Sequence, residues 1–173
     1  MRLIQNYRLY TATFLFLFVF GSAAVYAQKY SAGLSAARPQ IKITLSGTVE
    51  RNGQNLPVAE AGRVNSGEVL LWTLTSANEG GAAALSHDAV AQIPAGTTFI
   101  LKSTTSEANA SISYSIDGGK TFSAQPMIAE RQADGSVKQV AAPISMYTRI
   151  RYHWDSQLAV SSERTASYKV RVN

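Results

Sequence analysis

The residues best equipped for chemistry are few. The chain holds two histidines, His87 and His153, and no cysteine. A Ser-His-Asp hydrolase needs a histidine base within reach of a presented serine. His87 is followed directly by Asp88, and neighbours on a strand point to opposite faces. No Gly-x-Ser-x-Gly elbow offers a nucleophile. Two separated histidines, without thiols or an EF-hand-like acidic loop, match no metal-ligand spacing. The sequence therefore predicts no catalytic, cofactor-binding or metal-binding residue and no cofactor, and it expects both histidines at the surface. The missing cysteines also exclude disulfides and a lipidated cysteine.

The notable charges lie near the C-terminus. Arg149, Arg151 and His153 occupy alternate positions of one segment, and Lys169 and Arg171 alternate positions of the next. On strands each set takes a single outward face. With Asp155 to Glu163 as the connecting loop, the two strands are expected to pair antiparallel. Like charges would then lie side by side, which disfavours a sheet unless something anionic sits over them. These five residues are the candidate contact with an anionic envelope surface or polymer. The plainer expectation is a solvated sheet face whose long side chains deter edge-to-edge aggregation.

The elements that must position these groups read as strands. Ile41, Ile43 and Leu45 alternate with Lys42, Thr44 and Ser46, the pattern of a half-buried strand. Asn52-Gly53 supplies the two positive-φ residues of a type I′ hairpin. Val69 to Thr75 is a continuous β-rich run around Trp72, expected to be central and buried on both faces. Val90 to Ile93 is closed by Pro94-Ala95-Gly96, and extended chain resumes over Thr97 to Lys102. Ile112, Tyr114 and Ile116 oppose Ser111, Ser113 and Ser115 before the Asp117-Gly118-Gly119 turn, and Asp134-Gly135 marks another turn. Thr148, Ile150, Tyr152 and Trp154 share a face, as do Ala166, Tyr168, Val170 and Val172. About seven to nine short strands, with turns about 8–12 residues apart, predict an all-β antiparallel sandwich over residues 40–173. With most aromatics on inward positions, the pattern supplies no exposed aromatic row for sugar and no stacking platform for nucleic acid.

Length and composition agree. A chain of 173 residues with 46% hydrophobic and 16% charged content suits one domain with a real core. The N-terminus reads as an export signal: Arg2 and Arg8 precede the apolar run Phe14 to Phe20, then small residues and Val25-Tyr26-Ala27. Cleavage is expected between Ala27 and Gln28, with residues 28–39 a flexible lead-in rich in Ser, Ala and Gly. An uncleaved membrane anchor is the competing expectation, although the apolar run is shorter than the roughly 20 residues of a spanning helix. Without Arg2 and Arg8 the chain has 14 basic and 11 acidic residues, net +3. That mild excess is weak support for nucleic-acid binding. No later run is long enough to span a membrane, so a partner would have to hold the module at any surface it occupies.

The runs Ser66-Gly67-Glu68-Val69-Leu70-Leu71-Trp72-Thr73-Leu74, Asn78-Glu79-Gly80 and Ile93-Pro94-Ala95-Gly96-Thr97-Thr98-Phe99 together resemble the bacterial surface-repeat domain known as domain of unknown function eleven. Asp117-Gly118-Gly119-Lys120-Thr121-Phe122, Thr148-Arg149-Ile150-Arg151-Tyr152 and the closing Ala166 to Val172 extend the similarity. The resemblance implies an immunoglobulin-like fold, an exported or surface setting and no family-wide catalytic residues. The chain departs from it at Ala91, where the family often has Asp, and in lacking tandem copies. Ser115 to Phe122 also resembles the Asp-box of sialidases and other propellers, but one copy cannot build a propeller of several blades. The expected role is a non-catalytic structural or interaction module of the cell envelope, periplasm, cell surface or medium, docking an envelope or extracellular protein or an anionic polymer. A carbohydrate-binding or enzyme-accessory module is the competing class.

Overall fold

The computed structural model describes residues 37–173. The leader, the Ala27–Gln28 cleavage point and most of the lead-in lie outside the described residues. The strands run β1 (Ile41–Arg51), β2 (Gln54–Pro57), β3 (Val69–Asn78), β4 (His87–Gln92), β5 (Thr97–Phe99), β6 (Thr105–Ser106), β7 (Ser111–Ser115), β8 (Met127–Arg131), β9 (Val137–Ala141), β10 (Arg149–Trp154) and β11 (Glu163–Val172). A 3-10 turn, Ile144–Met146, precedes β10. All strand pairs among the described residues are antiparallel. The expected all-β antiparallel sandwich is what the described residues form; among them eleven strands are present rather than about seven to nine, because short pairings such as β6 carry no periodicity of their own.

One sheet has the order β2-β1-β3-β11-β5, with β6 also on β11; the second is β4-β10-β7; β8 and β9 form a separate hairpin. Asn52 and Gly53, at φ 54° and 74°, make the tight turn that pins Arg51 opposite Gln54. The central strand β3 is buried on alternate residues, Leu70, Leu74, Ser76 and Asn78, while Leu71, Thr73 and Thr75 are only partly covered. The expected burial on both faces is therefore corrected: one face packs on the second sheet and the other meets solvent, as antiparallel sheets allow. At the lead-in's end the Gly81 N–H donates to the Arg38 carbonyl, so Arg38 and Pro39 belong to the folded body.

Ile150, Tyr152 and Trp154 from the smaller sheet meet Ala166, Tyr168 and Val170 from the larger, all essentially inaccessible. The two sheets are stitched as well as packed. The Tyr152 hydroxyl donates to the Ser167 carbonyl at 2.9 Å, and the Tyr168 hydroxyl to the Gln92 carbonyl at 2.6 Å. Phe99, Tyr114 and Tyr147 cluster at one end with ring centroids 5.1–6.2 Å apart. Such pairs add to area burial through edge and offset contacts.

Candidate functional site

β10 and β11 do not pair. β10 lies between β4 and β7, and β11 lies between β3 and the edge strands β5 and β6. The expected continuous basic face is corrected accordingly. Arg149, Arg151 and His153 occupy the outer face of one sheet, and Lys169 and Arg171 the outer face of the other. The Asp155 to Glu163 loop crosses between sheets because Tyr152 and Trp154 must face Ala166 and Tyr168 across the core.

Each basic group on β10 is engaged by its own surroundings. Arg149 Nε donates to the Gly118 carbonyl at 2.8 Å. Arg151 Nε donates to Ser113 Oγ at 3.2 Å, with its guanidinium 4.6 Å from the Phe122 ring centre, a cation–π distance. His153 is clasped between two carboxylates, Nδ1 against Asp88 and Nε2 2.8 Å from Asp155. Hydrogen bonds to Asp88 and then Asp155 raise its pKa above the ordinary histidine value. The anionic cover for this face thus comes partly from the protein itself. On the other sheet Lys169 borders a hollow of about 440 Å³ shared with Glu50, Asn52 and Asn55. Arg171 reaches the Gly67 carbonyl at 3.4 Å.

His87 is not at the surface. It is 8% exposed and stacks on Trp154 with ring centres 4.7 Å apart. Burial, then the Arg164 charge, lowers its pKa. Neither of its ring nitrogens has a hydrogen-bond partner among the described residues. Its position follows from parity: Ala89 and Ala91, buried with it, lie two and four residues on. Asp88, on the opposite face, is turned to His153, so His87 and Asp88 form no dyad.

The Ser115 to Phe122 turn is built as an Asp-centred knot. Asp117 Oδ1 accepts from the Lys120 and Thr121 N–H groups, each at 3.0 Å, and Oδ2 from the Thr121 hydroxyl at 2.6 Å. These bonds, the Thr121 hydroxyl's first, hold the carboxyl well below the usual carboxylate range. Both carboxylate oxygens accept hydrogen bonds from inside the turn, Oδ1 also from the Ser115 hydroxyl at 2.7 Å.

The feature that sequence reasoning missed is the edge of β1. From Thr48 to Arg51 this strand pairs with β2, and from Ile41 to Val49 with β3. The Val58 N–H donates to the Gly47 carbonyl on the β2 side, whereas Glu79 N–H donates to the Gln40 carbonyl on the β3 side. Backbone groups alternate along a strand, so the N–H and C=O of Ile41, Ile43 and Leu45 point to the side that no strand covers among the described residues. Their side chains share the inward face with Leu74 and Ser76, yet Ile43 is 43% and Leu45 41% exposed. The three-stranded sheet is too narrow to cover them. A signal was present: Pro57 closes β2 four residues after the turn, while the alternation of β1 runs back to Ile41.

Comparison of the chain with protein-family models, with curated proteins and with solved structures finds no match in any of the three.

Proposed function

We propose that the chain is an exported, non-catalytic β-sandwich module of the bacterial cell envelope or extracellular space, whose work is docking. The observation that carries this reading is the edge of β1, where among the described residues no strand covers three backbone positions and the Ile43 and Leu45 side chains are exposed. Sheet edges of this kind bind by adding a strand: main-chain hydrogen bonds give affinity and alternate side chains give selectivity. The groups that could otherwise suggest chemistry are engaged structurally, His153 in its carboxylate clasp, His87 against Trp154 and Asp117 in its turn. Export rests on the leader sequence, and the likeness to the surface-repeat domain fits the same setting.

A second reading, an anionic polymer lying across β10, is favoured by Arg149 and Arg151 sharing one outer face with no carboxylate bridged to either among the described residues. Fractionation of the native host, with intact mass of the protein in each fraction, tests the exported setting. Protein beginning at Gln28 outside the cytoplasm is the expected result. Full-length protein extracted only by detergent would replace the exported module with a membrane-tethered one. Release by salt, lost in Arg149→Glu/Arg151→Glu, is the result the polymer reading requires.

A further inference from the structure

Of the seven asparagines in the chain, only Asn109 opens an Asn-x-Ser/Thr triplet, Asn109-Ala110-Ser111, with no proline inside it. That triplet is the acceptor pattern for N-linked glycan transfer, and it has meaning on a surface loop of an exported chain. The fold supplies such a loop. Residues 107–110 join β6 to β7, and Glu107, Ala108, Asn109 and Ser111 are all exposed. Ala108 and Asn109 both take left-handed backbone, at φ 52° and 51°, which makes a tight bend at the asparagine.

The bend is held from its flanks. The Trp154 indole N–H donates to the Glu107 carbonyl at 2.7 Å, and the Ala110 N–H to Ser106 Oγ at 3.1 Å. Neither bond uses the Asn109 side chain, so a bulky group attached there leaves both intact. Glu107 adds an acid two residues before the asparagine. In the fold its carboxylate accepts from the Thr165 N–H at 2.8 Å, and its own N–H donates to the Thr165 carbonyl at 3.0 Å. Thr165 lies on β11, which follows the triplet in the chain. Until β11 docks, the acid and the triplet are free together.

Resting on the exported setting proposed above, we infer that Asn109 is an N-glycosylation site, modified outside the cytoplasm before β11 closes over Glu107. The donor is a polyprenyl-pyrophosphate-linked oligosaccharide. The Asn109 amide nitrogen attacks the anomeric carbon of the first sugar, forming a C–N bond. The C–O bond to pyrophosphate breaks, polyprenyl pyrophosphate leaves with the electron pair, and the amide gives up one proton. An amide nitrogen is a weak nucleophile because its lone pair is shared with the carbonyl. The step therefore belongs to a transferase that grips the Ser111 hydroxyl and, through a basic group, the Glu107 carboxylate. On the folded protein the glycan stands between β6, at the rim of the larger sheet, and β7, the outer strand of the smaller one. A cover at such rims guards against edge-to-edge association.

Intact mass and peptide mapping of the protein from its native host read the site. The expected result is a carbohydrate increment on the peptide holding residues 107–111, absent in Asn109→Gln and Ser111→Ala and kept in Ser111→Thr. Glu107→Gln retains an acceptor for the Thr165 N–H while removing the charge, and is expected to lower occupancy several-fold. Asn109 and Ser111 are exposed, so their variants should keep the wild-type circular dichroism. If one does not accumulate, mapping of the wild-type peptide decides alone. A wild-type chain of bare mass, or an increment that survives Asn109→Gln, overturns the inference. Unchanged occupancy in Glu107→Gln overturns the part given to the acid. The first residue of the same chains reports processing separately: a bare chain beginning at Gln28 removes the glycan and leaves export standing, whereas a glycosylated chain beginning at Met1 removes cleavage and leaves the glycan.

Discussion

Tyr152 and Tyr168 reach across the core in opposite directions, each donating its hydroxyl to a backbone carbonyl of the other's sheet. Both rings are fully buried, and burial raises both phenols above the usual tyrosine range. The pair therefore fixes the offset between sheets that apolar contacts alone would leave loose. Tyr168→Phe deprives the Gln92 carbonyl of its donor inside the protein. The expected loss is about 1–3 kcal/mol, read as a lower denaturant midpoint with unchanged slope. A loss of no more than a few tenths would show that the bond is replaced by water and that the stitch is not structural.

Gly47 lies directly under the Trp72 indole. A β-carbon there would stand 2.9 Å from the ring. This glycine lets Trp72 lie over β1 and pack against the core, whereas Ile43 further along the strand stays exposed. Gly47→Ala is expected to destabilise by about 1–3 kcal/mol through overpacking and to shift the tryptophan fluorescence. An unchanged midpoint and spectrum would mean that the ring is free to move aside.

The two histidines have opposite pH signatures. His153 has a raised pKa in the fold, so its carboxylate clasp contributes fully below the unfolded value of 6.5 and is lost as pH rises through the higher folded value. His87 has a lowered pKa, so its contribution is intact above 6.5 and stability is lost as pH falls below it, when the unfolded chain binds the proton more readily. His153→Asn is expected to make stability decline on acidification from about pH 7.5 to about pH 5.5, the range in which histidine titrates. His87→Phe, which keeps a ring against Trp154, is expected to do the reverse. Parallel stability–pH curves for the two variants would refute this assignment.

How far the sequence led can be seen residue by residue. Alternation identified the inward faces of β10 and β11 correctly, and Asn52-Gly53 located the first hairpin, because both signals are local. Partnership between strands is not local. A nine-residue stretch from Asp155 to Glu163 suits a wide hairpin as well as a crossing between sheets, and only the packing of Tyr152 against the larger sheet decides it. Ile43 and Leu45 show the same limit differently: their alternation is real, but whether the face is covered depends on the width of the opposite sheet. His87 was legible from its parity with Ala89 and Ala91, a signal outweighed by the general tendency of histidine to be exposed.

Arg51 clamps the loop that follows β2. It holds both Glu68 oxygens at 2.9 Å and donates to the Ala61 and Arg63 carbonyls. The Arg51 hydrogen bonds, with the Asn65 N–H adding to them, lower the Glu68 pKa to about 2. The contribution is therefore present above the ordinary value of 4.5 and is lost as pH falls through about 2. Arg51→Gln is expected to lower the melting temperature near neutrality, with the difference from wild type shrinking on acidification. A difference that stays constant down to about pH 2 would place the effect of Arg51 in its carbonyl contacts rather than in the pairing with Glu68.

The claim that the β1 edge is open in the single chain is tested most directly by amide hydrogen exchange, resolved by residue, on dilute processed protein. Ile41, Ile43 and Leu45 are predicted to exchange fast, while Val49 on the paired half of the same strand and Leu74 on β3 stay protected. Slow exchange at all three positions at the lowest concentration would mean that the edge is already covered within one chain and would contradict the docking account.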